Sequence, residues 1–318
     1  MSRTEGVRHI GVEIVAMNAP LGAEVRCGDL RAVTDRQLAE IRAAWLQHLV
    51  VLFRGQHFTD TDLIAFARPF GEFQYSTPLP SPLANEGKVK QGGADERYPE
   101  VTVVSNVVED GVALGGLGDG ELVWHTDMSS FEAPPNQTIL YALEVPAGNG
   151  RTGFENMYLV WDTLPADLRD RVDRLSLKHD ATIDAAGYVR KRFADAPADV
   201  RESPGAAHPL VRTHPETGRN CLYLGRRAKA WLVGLSLEES DALLERLWAH
   251  ATHPQFAWHH DWQAGDVVMW DNRCVMHRRD PFDPKARRIL HRVVIKGTRP
   301  YRTPGLLPPH PRGHQHCK

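Results

Sequence analysis

The sequence predicts a mixed, mainly β fold, an antiparallel sandwich or barrel with helices packed outside it. Short apolar segments recur along the chain, Gly and Pro turns separate them, and few segments show helical periodicity. The segment 49–53 is continuously apolar and β-branched, as expected for a strand that is buried on both faces. Further strands are predicted at 137–144, 178–182, 220–224, 256–260, 267–270 and 289–296.

Helices are predicted where a capping signal precedes an apolar stripe. Thr34 and Gln37 have the spacing of a capping box, before a helix that reaches about His48. Ser236 and Glu239 repeat the pattern before a helix that reaches His250. Two more helices are predicted at 59–67 and 157–164.

Composition and charge exclude several classes of protein. The net charge is -2 and the basic residues are scattered, so we expect no nucleic-acid partner. No apolar run approaches the roughly 20 residues that span a bilayer, and the N-terminus lacks the features of a secretory signal, so we expect no membrane partner and a cytoplasmic location. The four cysteines are far apart, which indicates reduced, structural thiols.

The domain prediction is a single catalytic domain over 1–302 and a flexible tail over 303–318, rich in Pro and His. Two long loops are predicted at 76–99 and 111–120, where Gly, Pro and polar residues accumulate. Loops of this length are usually either lids over a site or locally disordered, and both alternatives stay open here.

A metal site is indicated by the segment Trp124-His125-Thr126-Asp127. Side chains two residues apart in a strand face the same way, so His125 and Asp127 can share one cation. The third ligand is predicted to be His277, which follows a buried strand and a turn at 271–272. Two His and one carboxylate that leave open positions are typical of non-haem Fe(II) oxygenases.

Two arginines, Arg288 and Arg292, follow His277 within an apolar strand. A buried guanidinium is costly unless an anion meets it, and its planar fork matches a carboxylate. Arg288 therefore indicates a carboxylate ligand near the metal. An internal salt bridge to an Asp or Glu is the alternative.

Several segments resemble the taurine dioxygenase and 2,4-dichlorophenoxyacetate dioxygenase family. They are WHTD (124–127), GRTGFENMYLVWDTLP (150–165), HPLVRTHPETGRNCLYL (208–224), GDVVMWDNRCVMH (265–277) and RRILHRVVI (287–295), and the likeness extends over about 20–297. The resemblance implies a double-stranded β-helix (jelly roll) core with surrounding helices, and a homodimer or tetramer. It also implies the residue roles: His125, Asp127 and His277 as metal ligands and catalytic residues, Arg288 and Thr152 at the distal carboxylate of 2-oxoglutarate, and Arg292 near substrate or cosubstrate.

The activity that the resemblance implies uses Fe(II), 2-oxoglutarate and O2 to hydroxylate an unactivated C–H bond, with succinate and CO2 as co-products. The expected substrate is a small anionic molecule: an aryloxy acid, a sulfonate, an alkyl sulfate or a natural-product intermediate. Residues 74–77 read QYST where sulfonate-using relatives place a histidine and a tyrosine, so taurine itself is not expected. Tyr75, Met128 and Phe131 are predicted to contact substrate, with ordinary core packing as the alternative.

Two other functions remain possible from the sequence. Zinc also accepts two His and one carboxylate, so a zinc hydrolase is one alternative. A jelly-roll sensor that binds metal and a small acid without turnover is the other. A zinc hydrolase would not require the anion clamp that Arg288 and Thr152 suggest.

Overall fold

A computed structural model describes residues 11–75 and 97–303 of the chain. In these two segments the strands are β1 Glu13–Ala16, β2 Ala23–Arg26, β3 Val50–Phe53, β4 Thr102–Ser105, β5 Val108–Glu109, β6 Val112–Ala113, β7 Gly116–Leu117, β8 Leu122–His125, β9 Gln137–Glu144, β10 Thr152–Asn156, β11 Ser176–Lys178, β12 Ala207–Pro209, β13 Val211–Thr213, β14 Asn220–Leu222, β15 Trp231–Leu232, β16 Ala257–His260, β17 Val267–Asp271, β18 Val275–Arg279 and β19 Ile289–Ile295. The α-helices are α1 Asp35–His48, α2 Asp60–Ala67, α3 Met157–Asp162, α4 Ala166–Val172 and α5 Leu237–Ala251.

Two sheets form the framework of the fold. The larger sheet has eight strands in the order β1-β2-β3-β17-β9-β19-β4-β7, and the smaller has four in the order β16-β10-β18-β8. The rings of Phe154 in β10 and Trp270 in β17 lie 5.4 Å apart, so the two sheets face each other across a shared core. This arrangement is the jelly-roll core with surrounding helices that the sequence predicted.

The central strands of the larger sheet are buried on both faces, which explains why they are continuously apolar. In β17, Val268 and Trp270 point into the core between the sheets, while Val267 and Met269 point into a second core under α1 and α2. Successive strand residues face opposite sides, so one strand serves both cores. β3 divides its four buried residues in the same way.

The predicted helix starts are confirmed. Thr34 and Gln37 form a complete capping box at α1, and Ser236 and Glu239 form another at α5. Each box satisfies backbone amides that the first helical turn leaves without partners. The Asn156 side chain caps α3, because it accepts hydrogen bonds from the backbone amides of Tyr158 and Leu159.

Two predicted segments differ from the structure. The strand expected at 178–182 is β11, which ends at Lys178, because the Asp180 carboxylate accepts hydrogen bonds from the amides of Thr182 and Ile183 and turns the chain. The loop expected at 111–120 contains β6 and β7, and β7 pairs in parallel with β4. The predicted loop at 76–99 and the tail at 303–318 lie almost entirely outside the described residues.

Within residues 11–75 and 97–303, none of the helices has the length and apolar character that crossing a bilayer needs. The division into one domain over 1–302 and a tail stays a prediction.

The capping box of α5 gives a stability prediction. Ser236→Ala removes the acceptor for the Glu239 amide, so we expect the free energy of unfolding to fall by about 1 kcal/mol in chemical denaturation. Ser236→Asp keeps a capping oxygen and is the control. An equal loss of stability in both variants would contradict the capping account.

Candidate active site

The two histidines of the predicted triad lie opposite each other in the smaller sheet. His125 ends β8, His277 is central in β18, and the antiparallel register pairs them directly. Opposed residues of an antiparallel pair project from the same face, so both imidazoles point into the space between the sheets. Asp127, two residues after His125, reaches the same point from the end of β8.

The three side chains converge closely enough to bind one cation. Asp127 Oδ1 lies 3.9 Å from His125 Nε2 and 3.8 Å from His277 Nε2. All three residues are buried, and their ligand atoms lie within 4.8 Å of one another. The structure therefore brings together the three residues that the sequence singled out as ligands.

The protonation states suit a metal. Burial, and then the neighbouring His125, lower the pKa of His277 to about 3, so its imidazole is neutral at physiological pH. Burial also lowers the pKa of His125, whose Nδ1 donates to the Val123 carbonyl oxygen at 2.7 Å. That bond directs the Nε2 lone pair of His125 toward the centre. Burial alone would raise the pKa of Asp127, but His277 and Arg292 outweigh it, and the pKa is lowered.

A hydrogen-bonded chain orients the Asp127 carboxylate. The Thr138 hydroxyl donates to Asp127 Oδ2 at 2.7 Å and accepts from Asn272 Nδ2 at 2.8 Å. Asn272 is itself oriented, because its Oδ1 accepts from the indole N–H of Trp270. With Oδ2 bonded to Thr138, Oδ1 is the oxygen that faces the two imidazoles. Asp127 is thus prepared to bind a metal through one oxygen.

Aromatic rings line one side of the centre. The Trp270 ring lies 4.8 Å from the His277 imidazole, and the Phe154 ring stacks on the same imidazole at 6.4 Å. These apolar contacts exclude water from that side of His277. Trp124 faces the other way, toward His259 and Arg278. Of the two tryptophans beside the predicted ligands, only Trp270 therefore packs on a ligand.

The triad lies between two cavities. We call the first the inner cavity; its lining includes the triad together with Thr152, Arg288 and Arg292. The second, the outer cavity, shares His125, Asp127 and Arg292 with the first and adds Met128, Phe131 and Arg226, among others.

Arg288 is a buried cation in the inner cavity. Only 2% of the residue is exposed, and within 11–75 and 97–303 no carboxylate lies within ion-pair distance of its guanidinium. Burial, and then the nearby Arg279, lower its pKa to about 9. Such a group is costly unless an anion meets it. The internal salt bridge that was the alternative for Arg288 is absent from the described part of the chain.

Thr152 offers a second donor to the same cavity. Its hydroxyl oxygen accepts from the indole N–H of Trp262 at 2.9 Å, and an indole nitrogen can only donate. The hydroxyl hydrogen of Thr152 is therefore available to an acceptor in the inner cavity. A buried guanidinium and a hydroxyl donor in one cavity fit a carboxylate.

The other predicted contacts are divided between the two sides of the triad. Arg292 lies 3.6 Å from Asp127 Oδ1 and lines both cavities. Met128 and Phe131 line the outer cavity, whereas Tyr75 is 55% exposed and is not part of either lining. Arg226 also lines the outer cavity, although the sequence did not predict a role for it. An antiparallel bridge between His125 and Arg226 brings it there, and no local motif signals such a pairing.

A second group of potential metal ligands consists of His214, Asp271 and Cys274. Both nitrogens of His214 are already used, since Nδ1 accepts from two backbone amides and Nε2 contacts Asp271 Oδ2 at 3.0 Å. Arg273 donates to both oxygens of Asp271. This group stabilises the turn between β17 and β18, which delivers His277.

Together, the jelly roll and its buried centre of two histidines and one carboxylate define a class, the mononuclear non-haem metal oxygenases. The comparisons with known proteins specify the family. Residues 13–294 match the taurine catabolism dioxygenase TauD, TfdA family, and the chain belongs to that family.

Individual relatives match over nearly the whole chain. An alpha-ketoglutarate-dependent 2,4-dichlorophenoxyacetate dioxygenase of Cupriavidus pinatubonensis is 36% identical over 84% of this chain and 91% of its own length. An (S)-phenoxypropionate/alpha-ketoglutarate-dioxygenase of Sphingobium herbicidovorans is 32% identical over 90% and 95%. The crystal structure of a taurine dioxygenase from Burkholderia xenovorans superposes with a TM-score of 0.72 at 32% identity, covering 91% of this chain and 90% of that one.

The chain from Asn272 to Asp127 gives a prediction about metal affinity. Thr138→Val preserves shape but removes the hydroxyl that holds Oδ2, so we expect binding of Mn(II) to weaken by about ten- to a hundredfold in competition with a chelator. Thr138→Ser keeps the hydroxyl and should retain most of the affinity. Equal affinities of the Val variant and the unsubstituted protein would show that Thr138 does not orient Asp127.

Proposed function

We propose that the chain is an Fe(II)- and 2-oxoglutarate-dependent dioxygenase that hydroxylates an unactivated C–H bond of a small anionic organic molecule. The observation that carries the proposal is a buried centre of two histidines and one carboxylate, with the Arg288 guanidinium lining the same cavity. Membership of the TauD, TfdA family supports it.

The donor set fits ferrous iron. His125 and His277 would each supply Nε2, and Asp127 would supply Oδ1, which leaves further coordination positions open. Iron bound there, with 2-oxoglutarate and O2, supplies the oxidising chemistry that converts the cosubstrate to succinate and CO2 and hydroxylates the substrate. Because Asp127 provides a carboxylate ligand, that position is not open to a halide, and hydroxylation is favoured over halogenation.

The protein's own contribution to cosubstrate binding comes from the inner cavity. Arg288 would bind the distal carboxylate through its planar fork, and the Thr152 hydroxyl would donate to the same group. An anion at this position would compensate the charge of a guanidinium that burial otherwise disfavours. This need for an anion separates the proposal from the zinc hydrolase alternative, whose chemistry requires no such clamp.

The proposed substrate lies in the outer cavity, where Met128 and Phe131 provide apolar contacts and Arg292 provides positive charge. The two curated relatives are named for aryloxy acids, and an aryloxy acid is the substrate class we favour for this chain. An alkyl sulfate, a sulfonate or a natural-product intermediate has the same combination of an apolar body and an acidic group. A role for Tyr75, a cytoplasmic location and a dimeric or tetrameric assembly stay predictions.

One experiment separates this function from its alternatives. Anaerobic addition of Fe(II) and 2-oxoglutarate should produce a weak visible metal-to-ligand absorption, and admission of O2 should then yield succinate. A sensor would give the absorption without substrate-stimulated succinate, and a zinc hydrolase would give neither. Aryloxy acids, alkyl sulfates and sulfonates are then compared by the succinate that each releases.

Single substitutions should distinguish the residues that bind iron from the residue that binds 2-oxoglutarate. We expect His125→Ala and Asp127→Ala to abolish succinate release through loss of iron. Arg288→Ala should instead raise the 2-oxoglutarate concentration needed for half-maximal rate by roughly ten- to a hundredfold, because a charge-assisted pair is lost.

Arg287→Ala is the matched control for Arg288→Ala. Arg287 is the adjacent arginine, but it is exposed and pairs with Glu144 at the surface, so its removal should leave the 2-oxoglutarate requirement unchanged. An undiminished rate in Asp127→Ala would remove that residue from the ligand set. An unchanged 2-oxoglutarate requirement in Arg288→Ala would show that Arg288 does not bind the distal carboxylate.

A further inference from the structure

We propose that Arg226, together with Arg190, forms a binding site for the anionic group of the substrate on the wall of the outer cavity. This inference rests on the proposed function and deepens it, because it assigns the recognition of a carboxylate, sulfate or sulfonate to residues other than Arg292. Both arginines line the outer cavity, and neither lines the inner one.

The backbone fixes the direction of Arg226. Arg226 forms an antiparallel bridge with His125, next to a hydrogen bond from the Thr126 amide to the Gly225 carbonyl oxygen. Opposed residues of such a bridge project from the same face, so the guanidinium extends on the side of the His125 imidazole.

Gly225 is needed for this approach. It has a φ of +62°, and a Cβ at this position would lie 2.1 Å from the His179 Nδ1. The backbone of 225–226 therefore packs tightly between His179 and the strand that carries His125. Such packing holds the start of the Arg226 side chain in one place beside the metal ligands.

The guanidinium of Arg226 is only partly satisfied by the protein. Its Nη2 donates to the Asp180 carbonyl oxygen at 3.0 Å, and its Nε is buried without a hydrogen-bond partner in the described residues. The side chain is 12% exposed, and burial, followed by repulsion from Arg190, lowers its pKa to about 10. Two arginines that line one cavity, where the charge of Arg190 disfavours that of Arg226, are an arrangement that a shared anion would stabilise.

Two acidic residues, Asp180 and Asp184, line the same cavity and partly offset the charges of Arg226 and Arg190, but their hydrogen bonds are to their own loop. Asp180 accepts from Thr182 and Ile183, and its Oδ2 is 4.0 Å from Arg226. Asp184 Oδ1 accepts hydrogen bonds from two backbone amides of the same loop. These carboxylates fold the 180–188 turn, and neither forms a close bidentate pair with an arginine of the wall.

Arg292 is less suited to this task than Arg226. Its Nη1 lies 3.6 Å from Asp127 Oδ1, so part of its charge is matched by a metal ligand. The arrangement separates two anions by position: Arg288 serves the inner cavity, Arg226 and Arg190 serve the outer cavity, and the triad lies between them. A substrate held at Arg226 would extend its apolar body past Met128 and Phe131 toward the metal.

The test compares charged probes with neutral counterparts. Binding of phenoxyacetate and 2-phenoxyacetamide, and of hexyl sulfate and 1-hexanol, is measured by calorimetry on protein loaded anaerobically with Fe(II) and saturating 2-oxoglutarate. We expect the unsubstituted protein to prefer at least one anion, and Arg226→Gln or Arg190→Gln to reduce that preference by about tenfold or more. The two probe pairs distinguish a carboxylate from a sulfate.

Arg227→Gln is the matched control, since Arg227 is the next residue but pairs with Asp241 at 2.5 Å on the surface. It should keep the preference, and Arg226→Lys should keep a substantial part of it. The inference is overturned if no anion is preferred, or if the preference survives in both Gln variants. Loss of the visible 2-oxoglutarate absorption in the unsubstituted protein would instead overturn the proposed function.

If Arg226→Gln unfolds, as judged by thermal melting, Arg190→Gln decides the matter. Arg190 makes no side-chain hydrogen bond or ion pair within the described residues, so its replacement carries little structural cost. A retained anion preference in a folded Arg190→Gln variant would then exclude the paired site.

Discussion

The antiparallel pairing of β8 with β18 is the constraint on which the rest of the site depends. It places His125 directly opposite His277 and sets both imidazoles on the inner face of the smaller sheet. A shift of one residue in either strand would turn an imidazole to the other face. The turn before β18 holds this register, because Arg273 binds both oxygens of Asp271 and His214 contacts the same carboxylate.

Buried charge is the second organising feature of the site. The charged groups lie at the triad and in the cavities on its two sides. At the centre, Asp127 lies among two neutral imidazoles and the Arg292 guanidinium, so its negative charge is compensated. Among the described residues, Arg288 in the inner cavity has no carboxylate within ion-pair distance, and Arg226 in the outer cavity has a weak pair with Asp180 at 4.0 Å. Isolated buried cations reduce stability unless they bind something. Buried arginines on opposite sides of the triad would suit the proposed reaction between two anionic molecules.

The apolar architecture makes these charges effective. Trp270 and Phe154 pack against His277, and both belong to the main core between the sheets. The same residues thus stabilise the jelly roll and lower the local dielectric around the site, which strengthens electrostatic interactions there. The hydrogen bond from Trp270 to Asn272 extends this coupling through Thr138 to Asp127, the proposed metal ligand.

The sequence by itself determined the class of fold and the capping boxes of α1 and α5, because these depend on local periodicity and on side chains a few residues apart. It also determined the triad, because the three residues lie in motifs that resemble those of a known family. Tertiary structure alone decided the bond from Thr138 to Asp127, the position of Arg226 beside His125, and the exposure of Tyr75. Each of these depends on which strands and loops pair across long sequence separations, and a single sequence carries no local signal for such pairing. The strand expected at 178–182 was wrong for a local reason, because the Asp180 carboxylate accepts hydrogen bonds from the backbone amides of Thr182 and Ile183 and turns the chain there.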